Sequence, residues 1–130
     1  MTTVLLDSHV VHWWSAEPDR VSRVAALAIA AAQNLAVADI TWFELAWLAR
    51  NERIVLTIPM DAWLRELASQ VRTVPVTPAI AHTAVTLPAS FPGDPADRLI
   101  YATAIESGWS LITKDERLRS HQHPKRITVW

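Results

Sequence analysis

The chain has 130 residues, 51% hydrophobic and 19% charged, the make-up of one compact globular domain (1–130) and not of a disordered segment. A formal net charge of -1 offers no whole-molecule attraction to nucleic acid, and the lack of cysteine excludes disulfides and thiolate metal sites. Residues 24–32 form the longest apolar stretch, short of the ~20 residues that span a bilayer, and the residues before Asp7 are too few for a secretory signal; a soluble cytoplasmic protein is expected.

In chain order, the unbroken apolar run 3–6 predicts a short buried strand, closed by Asp7-Ser8. One or two helical turns follow over 8–15. Ser22 caps an alanine-rich helix over 22–33, and 35–39 reads as the second strand. Thr41 and Glu44 have the spacing of a capping box for a helix running to about Asn51, and Asp61 starts another, 62–72, after Pro59. Strand 73–76 contains Pro75, which suits a sheet edge. Helix 79–87 leads into a proline-rich loop, 88–95. Helix 97–107 is stopped by Gly108, and strand 110–113, a short helix 115–120 and strand 127–129 complete the chain. Strands alternating with helices imply a central parallel sheet covered on both faces, a three-layer α/β/α fold.

Four acids mark passages from strand-like to helix-like sequence: Asp7, Glu44, Asp97 and Asp115. Any one of them could be a helix cap or a turn residue. In a parallel sheet, however, all four can gather at the carboxyl ends of the strands, where open α/β folds place their chemistry. Gathered carboxylates repel unless a cation lies between them, and hard oxygen ligands suit Mg²⁺ or Mn²⁺. The expected reaction is metal-assisted attack of water on a phosphodiester, with Asp7 and Asp97 as direct ligands. Glu44 and Asp115 complete the acidic site, and Glu44 is also placed to position the attacking water. Asp94, three residues before Asp97, is a further candidate to orient it.

Lys114, Arg117, Arg119, Lys125 and Arg126 form a basic strip after the fourth strand, with His121 and His123 between them. At least one of Lys114, Arg117 and Arg119 is expected to face the acidic cleft and hold substrate phosphate, and Arg98 is expected nearby. The seven tryptophans suit core, interface or base stacking.

The segments LLDSHVVHWW (5–14), WFELAWLA (42–49), FPGDPADRLIYATAI (91–105) and LITKDERL (111–118) together resemble PIN-domain proteins, in particular the VapC toxins of bacterial toxin–antitoxin pairs. The resemblance implies a PIN-like fold and a metal-dependent endoribonuclease that is held inactive by a cognate VapB-like antitoxin. A homodimer and a hetero-oligomer with the antitoxin are implied as well. It puts Asp7, Glu44, Asp97 and Asp115 on the family's acidic quartet, Ser8 on the hydroxyl residue beside the first acid, and Thr113 on the strand-end threonine. Tyr101 stands where a small residue is common in the family.

Three rivals fare worse. A phosphotransfer receiver domain needs an acid pair after the first strand and an aspartate after the third, where the chain has Asp7-Ser8 and Thr77-Pro78. A haloacid-type phosphatase needs Asp-x-Asp, and position 9 is His9. A catalytically silent PIN-like binding module would lack an acid, and none is missing.

Overall fold

The computed structural model describes residues 2–121 and 123–130. Five parallel strands form one sheet in the order β3-β2-β1-β4-β5. The strands are β1 (Thr3–Leu6), β2 (Asn34–Ala38), β3 (Arg72–Val74), β4 (Ser110–Ile112) and β5 (Thr128–Val129). Register is set at the centre, where Leu5 lies opposite Ala36 of β2 and Leu111 of β4. The apolar run of β1 is continuous because both of its faces are covered. Val4 and Leu6 pack with Val10, Val11, Ile29 and Leu45 on one face; Leu5 packs with Ile100, Tyr101 and Ala104 on the other.

The covering helices are α1 (Ser8–Ala16), α2 (Arg23–Ala31), α3 (Ile40–Arg50), α4 (Met60–Ala68), α5 (Pro78–Thr86), α6 (Pro95–Ser107) and α7 (Glu116–Arg119), with a 3₁₀ turn at Pro18–Arg20. The three-layer arrangement is the expected one. Ser22 caps α2 through Ala25 N–H at 3.1 Å. Gly108 ends α6 at φ 70°, a conformation that a side chain would strain. β3 is at the edge and stops just before Pro75.

Two local expectations fail. α4 ends at Ala68, four residues before the predicted end at Arg72, since Val71 is drawn into the core as the chain turns into β3. Thr41 caps nothing: α3 starts at Ile40 after Asp39, and the Thr41 hydroxyl is buried with no partner among the described residues.

The chain builds outward from β1 to β2 and β3, then returns to β4 on the other side of β1. The strand order therefore reverses between β1 and β4, which leaves a crevice at their carboxyl ends. Asp7 leaves β1 and Asp115 follows β4 at that crevice.

Candidate active site

Asp7 is held from three sides. Its backbone N–H donates to Ile112 O at 3.0 Å, which joins β1 to β4. Its Oδ1 accepts from the Ser8 N–H at 2.8 Å, the N-cap of α1, and its Oδ2 accepts from the buried Thr113 hydroxyl at 2.7 Å. Thr113 Oγ1 in turn accepts from Asp115 N–H at 3.1 Å, so one hydroxyl ties the first acid to the last. Asp115 caps α7, accepting from Arg117 N–H at 2.8 Å and Leu118 N–H at 3.4 Å.

Glu44 lies one turn into α3 and accepts from Ser8 Oγ at 2.5 Å. That bond replaces the predicted capping box, because the chain delivers Ser8, and not a backbone N–H, to this carboxylate. Asp97 sits in the first turn of α6. The helix starts two residues earlier than predicted: Pro95 takes its first position, and Asp94 is the cap, accepting from Ala96 N–H at 2.8 Å and Asp97 N–H at 3.3 Å. Asp94 thereby orients the turn that carries Asp97.

All five carboxylates line one open cleft of about 730 Å³. Burial raises Asp7, an effect partly offset by its bonds from Thr113 and Ser8, and burial raises Glu44 as well. Asp97 is pushed up to about 7 by burial and then by the neighbouring charges of Asp94, Asp7 and Asp115. For Asp115 burial is outweighed by its hydrogen bonds from Arg117, and the carboxyl is held below its ordinary range. Arg117 Nη2 reaches Asp97 Oδ2 at 3.1 Å and Asp115 Oδ2 at 3.0 Å. The cleft is thus lined by more acids than bases, and Arg117 is the base that bonds directly to two of the four acids.

The donor chemistry fits a hard divalent cation: carboxylate oxygens from four separate segments, open to water, with the charges of Asp94, Asp7 and Asp115 near Asp97. Among the described residues, no group of three or more His, Asp or Glu side chains is already arranged to hold an ion. The hydrogen bonds explain this, since Ser8 engages Glu44, Thr113 engages Asp7, and Arg117 engages the other two acids.

Of the basic residues singled out in the sequence, Lys114 and Arg117 face the cleft. Arg119 does not line it. It lies two positions beyond Arg117 on α7, and such neighbours do not share a helix face. Arg98 also turns away, donating to the carbonyls of Ala84, Leu87, Pro88, Phe91 and Pro92 and so holding the proline-rich loop. His121 is packed edge-on against Phe91 and Tyr101, not offered to phosphate. Tyr101 lies on the core-facing side of α6 and is buried.

Sequence reasoning missed Arg20 and Arg53, which line the cleft with His9 and His12. Trp13 forms part of the wall, with the Arg20 guanidinium 5.0 Å and the Lys114 amine 5.6 Å from its ring centre. Trp13 seven positions before Arg20 was the one available signal, and it is a weak one. Trp42 donates to Thr73 at 3.0 Å, whereas Trp47 is exposed and stacked beside Phe43.

Residues 4–123 match the PIN domain family model. Along its whole length the chain is 69% identical to Ribonuclease VapC22 of Mycobacterium tuberculosis, and it covers all of that protein. Among solved structures, a toxin-antitoxin complex from Klebsiella pneumoniae superposes with a TM-score of 0.67 at 22% identity, over 95% of this chain and 99% of that one. VapBC-1 from nontypeable Haemophilus influenzae gives 0.66 at 17% identity, over 93% and 96%. At such identities the structural likeness speaks for the fold alone.

Proposed function

The chain belongs to the PIN-domain family, and on that footing we propose that it is a Mg²⁺- or Mn²⁺-dependent endoribonuclease, the toxin of a toxin–antitoxin pair. The observation that carries this reading is the convergence of Asp7, Glu44, Asp97 and Asp115 on one cleft, in a chain so similar to a named ribonuclease. One PIN domain over residues 1–130 accounts for the activity.

In this reading Asp7 and Asp97 would hold the cation, and Glu44 and Asp115 would complete the acidic site around it. The chemistry that a divalent ion supplies there is cancellation of carboxylate charge and acidification of water for attack on phosphorus. The rest is the chain's own work. Glu44, whose second oxygen has no hydrogen-bond partner among the described residues, orients the attacking water and accepts its proton. Ser8, Thr113 and Asp94 fix the acids in place, so no reorganisation is needed as charge builds on the phosphate. Lys114, Arg20 and Arg53 grip the flanking phosphates, which gives affinity without choice of sequence.

A VapB-like antitoxin is the proposed protein partner, and a homodimer the proposed assembly. Support comes from the structural relatives, which include a toxin-antitoxin complex and VapBC-1, and from exposed apolar side chains such as Phe43, Trp47, Val55 and Val85. None of the described helices is long and apolar enough to cross a membrane, and we place the protein in the cytoplasm.

The test is to incubate the purified protein with RNA and Mn²⁺ or Mg²⁺ and to sequence the new RNA ends. Cleavage at defined positions, abolished by chelation and by Asp7→Asn in a folded protein, is expected. Equal cleavage by Asp7→Asn would sink the assignment of the site.

A further inference from the structure

We propose that Arg117 is a movable cation: without metal its guanidinium cross-links Asp97 and Asp115, and a divalent ion displaces it to a substrate phosphate. The inference rests on the metal-dependent reading above and deepens it.

The geometry begins with one atom. Arg117 Nη2 lies 3.1 Å from Asp97 Oδ2 and 3.0 Å from Asp115 Oδ2, and Nε is 3.3 Å from Asp115 Oδ1. Among the described residues it is the only side-chain donor to Asp97. A nitrogen within hydrogen-bond distance of both acids takes up the space at the Asp97 oxygen that a cation held by Asp7 and Asp97 would need. Mg²⁺ draws oxygens to roughly 2.0–2.1 Å, so ion and guanidinium cannot share that space. Both also answer the same demand, since Asp97 stands in the field of Asp7, Asp94 and Asp115.

Arg117 is free to leave. Its side chain is 63% exposed, against 12% for Asp97 and 25% for Asp115, so the arginine reaches in from solvent to acids that are fixed. Asp115 keeps its place without the side chain, because the N–H groups of Arg117 and Leu118 still cap onto it. Asp97 keeps its place on α6, whose first turn Asp94 caps. A guanidinium released at the mouth of the cleft, beside Lys114, meets the phosphate that the site exists to bind. The same residue therefore weakens metal binding and strengthens RNA binding.

These opposite signs set the experiment. Mn²⁺ binding to the purified wild-type protein and to Arg117→Gln is measured by calorimetry. Binding of a fluorescent oligoribonucleotide is then followed by anisotropy, with Ca²⁺ replacing Mn²⁺ to suppress cleavage. The variant is expected to bind Mn²⁺ about 1.5- to fivefold more tightly, the range for losing an exposed ion pair. It should bind RNA more weakly, with the salt slope reduced by about one phosphate contact. Arg117→Lys should fall between the two for RNA. Weaker or unchanged Mn²⁺ binding in Arg117→Gln, with the wild type binding normally, overturns the inference and makes Arg117 a structural brace. Tighter Mn²⁺ binding with unchanged RNA binding overturns the transfer to phosphate. Failure of the wild type itself to bind Mn²⁺ overturns the metal-dependent reading and the inference together.

Discussion

The Ser8 hydroxyl lies 2.5 Å from Glu44 Oε1, so the first residue of α1 holds an acid that α3 supplies from 36 positions away. α1 and α3 each bring one partner, and neither side chain has this role alone. Ser8→Ala leaves Glu44 without that restraint in a half-dry site. The expected loss in kcat is roughly 10-fold or more, the usual effect of removing a group that orients a metal ligand. Circular dichroism and steady-state cleavage on one RNA check it, with folding unchanged.

Thr113 carries a different load. Its hydroxyl donates to Asp7 and accepts from Asp115 N–H in a fully buried position. Thr113→Val keeps the shape but strands both partners, at a cost of about 1–3 kcal/mol. Thr113→Ser should recover most of it. Urea unfolding of the three proteins, with equal m-values, measures the difference.

Stability of the metal-free protein should fall as pH rises. Asp97 is raised from 3.8 to about 7, and Asp7 and Glu44 are raised as well. A folded carboxyl with a raised pKa binds more protons than its unfolded counterpart between the two values. The folded state is therefore favoured at the acid end of that window and loses stability as pH climbs through 4 to 7. Asp115, held low, acts in the opposite sense only below its ordinary range near 3.8. Melting temperatures across pH 5 to 8 test this, and saturating Mn²⁺ should flatten the curve.

Asp97→Asn should uncouple stability from function. Removing one of the mutually repelling charges raises the melting temperature of the metal-free protein at pH 8, although Arg117 loses one of its two acidic partners. The same change should abolish cleavage and reduce the thermal shift produced by Mn²⁺. A variant that cleaves RNA at the wild-type rate would remove Asp97 from the site.

Phosphate grip separates the cleft-facing cations from the rest of the basic strip. Arg20→Gln with Lys114→Gln should raise KM severalfold and flatten its salt dependence while the cleavage position stays fixed. Arg119→Gln, off the cleft, serves as the control and should change neither.

Much of this molecule can be read from its residues, and the boundary of legibility has physical causes. β1 is visible because burial on two faces demands an unbroken apolar run, and Ser22 and Gly108 are visible because caps obey local rules. The four acids are found together because strand ends in a parallel sheet share an edge. Side-chain direction is a different matter. Arg98 follows Asp97 in sequence, yet the carbonyls of a proline-rich loop need its donors more than the cleft does. Arg20 and Arg53 reach the cleft through packing of segments with no shared spacing, which no local pattern records. Thr41 and Glu44 satisfy a capping rule that tertiary structure overrides through Ser8.

The Asp7–Thr113 bond spans 106 positions, and β1 lies between β2 and β4 at the middle of the sheet. During synthesis β1 must wait until β4 has been made before its second neighbour arrives. Until Ser110–Ile112 and Asp115 emerge, Asp7 has no Thr113 to orient it and the cleft has no fourth acid. A growing chain therefore has no assembled acidic cleft until β4 and the residues that follow it have been made.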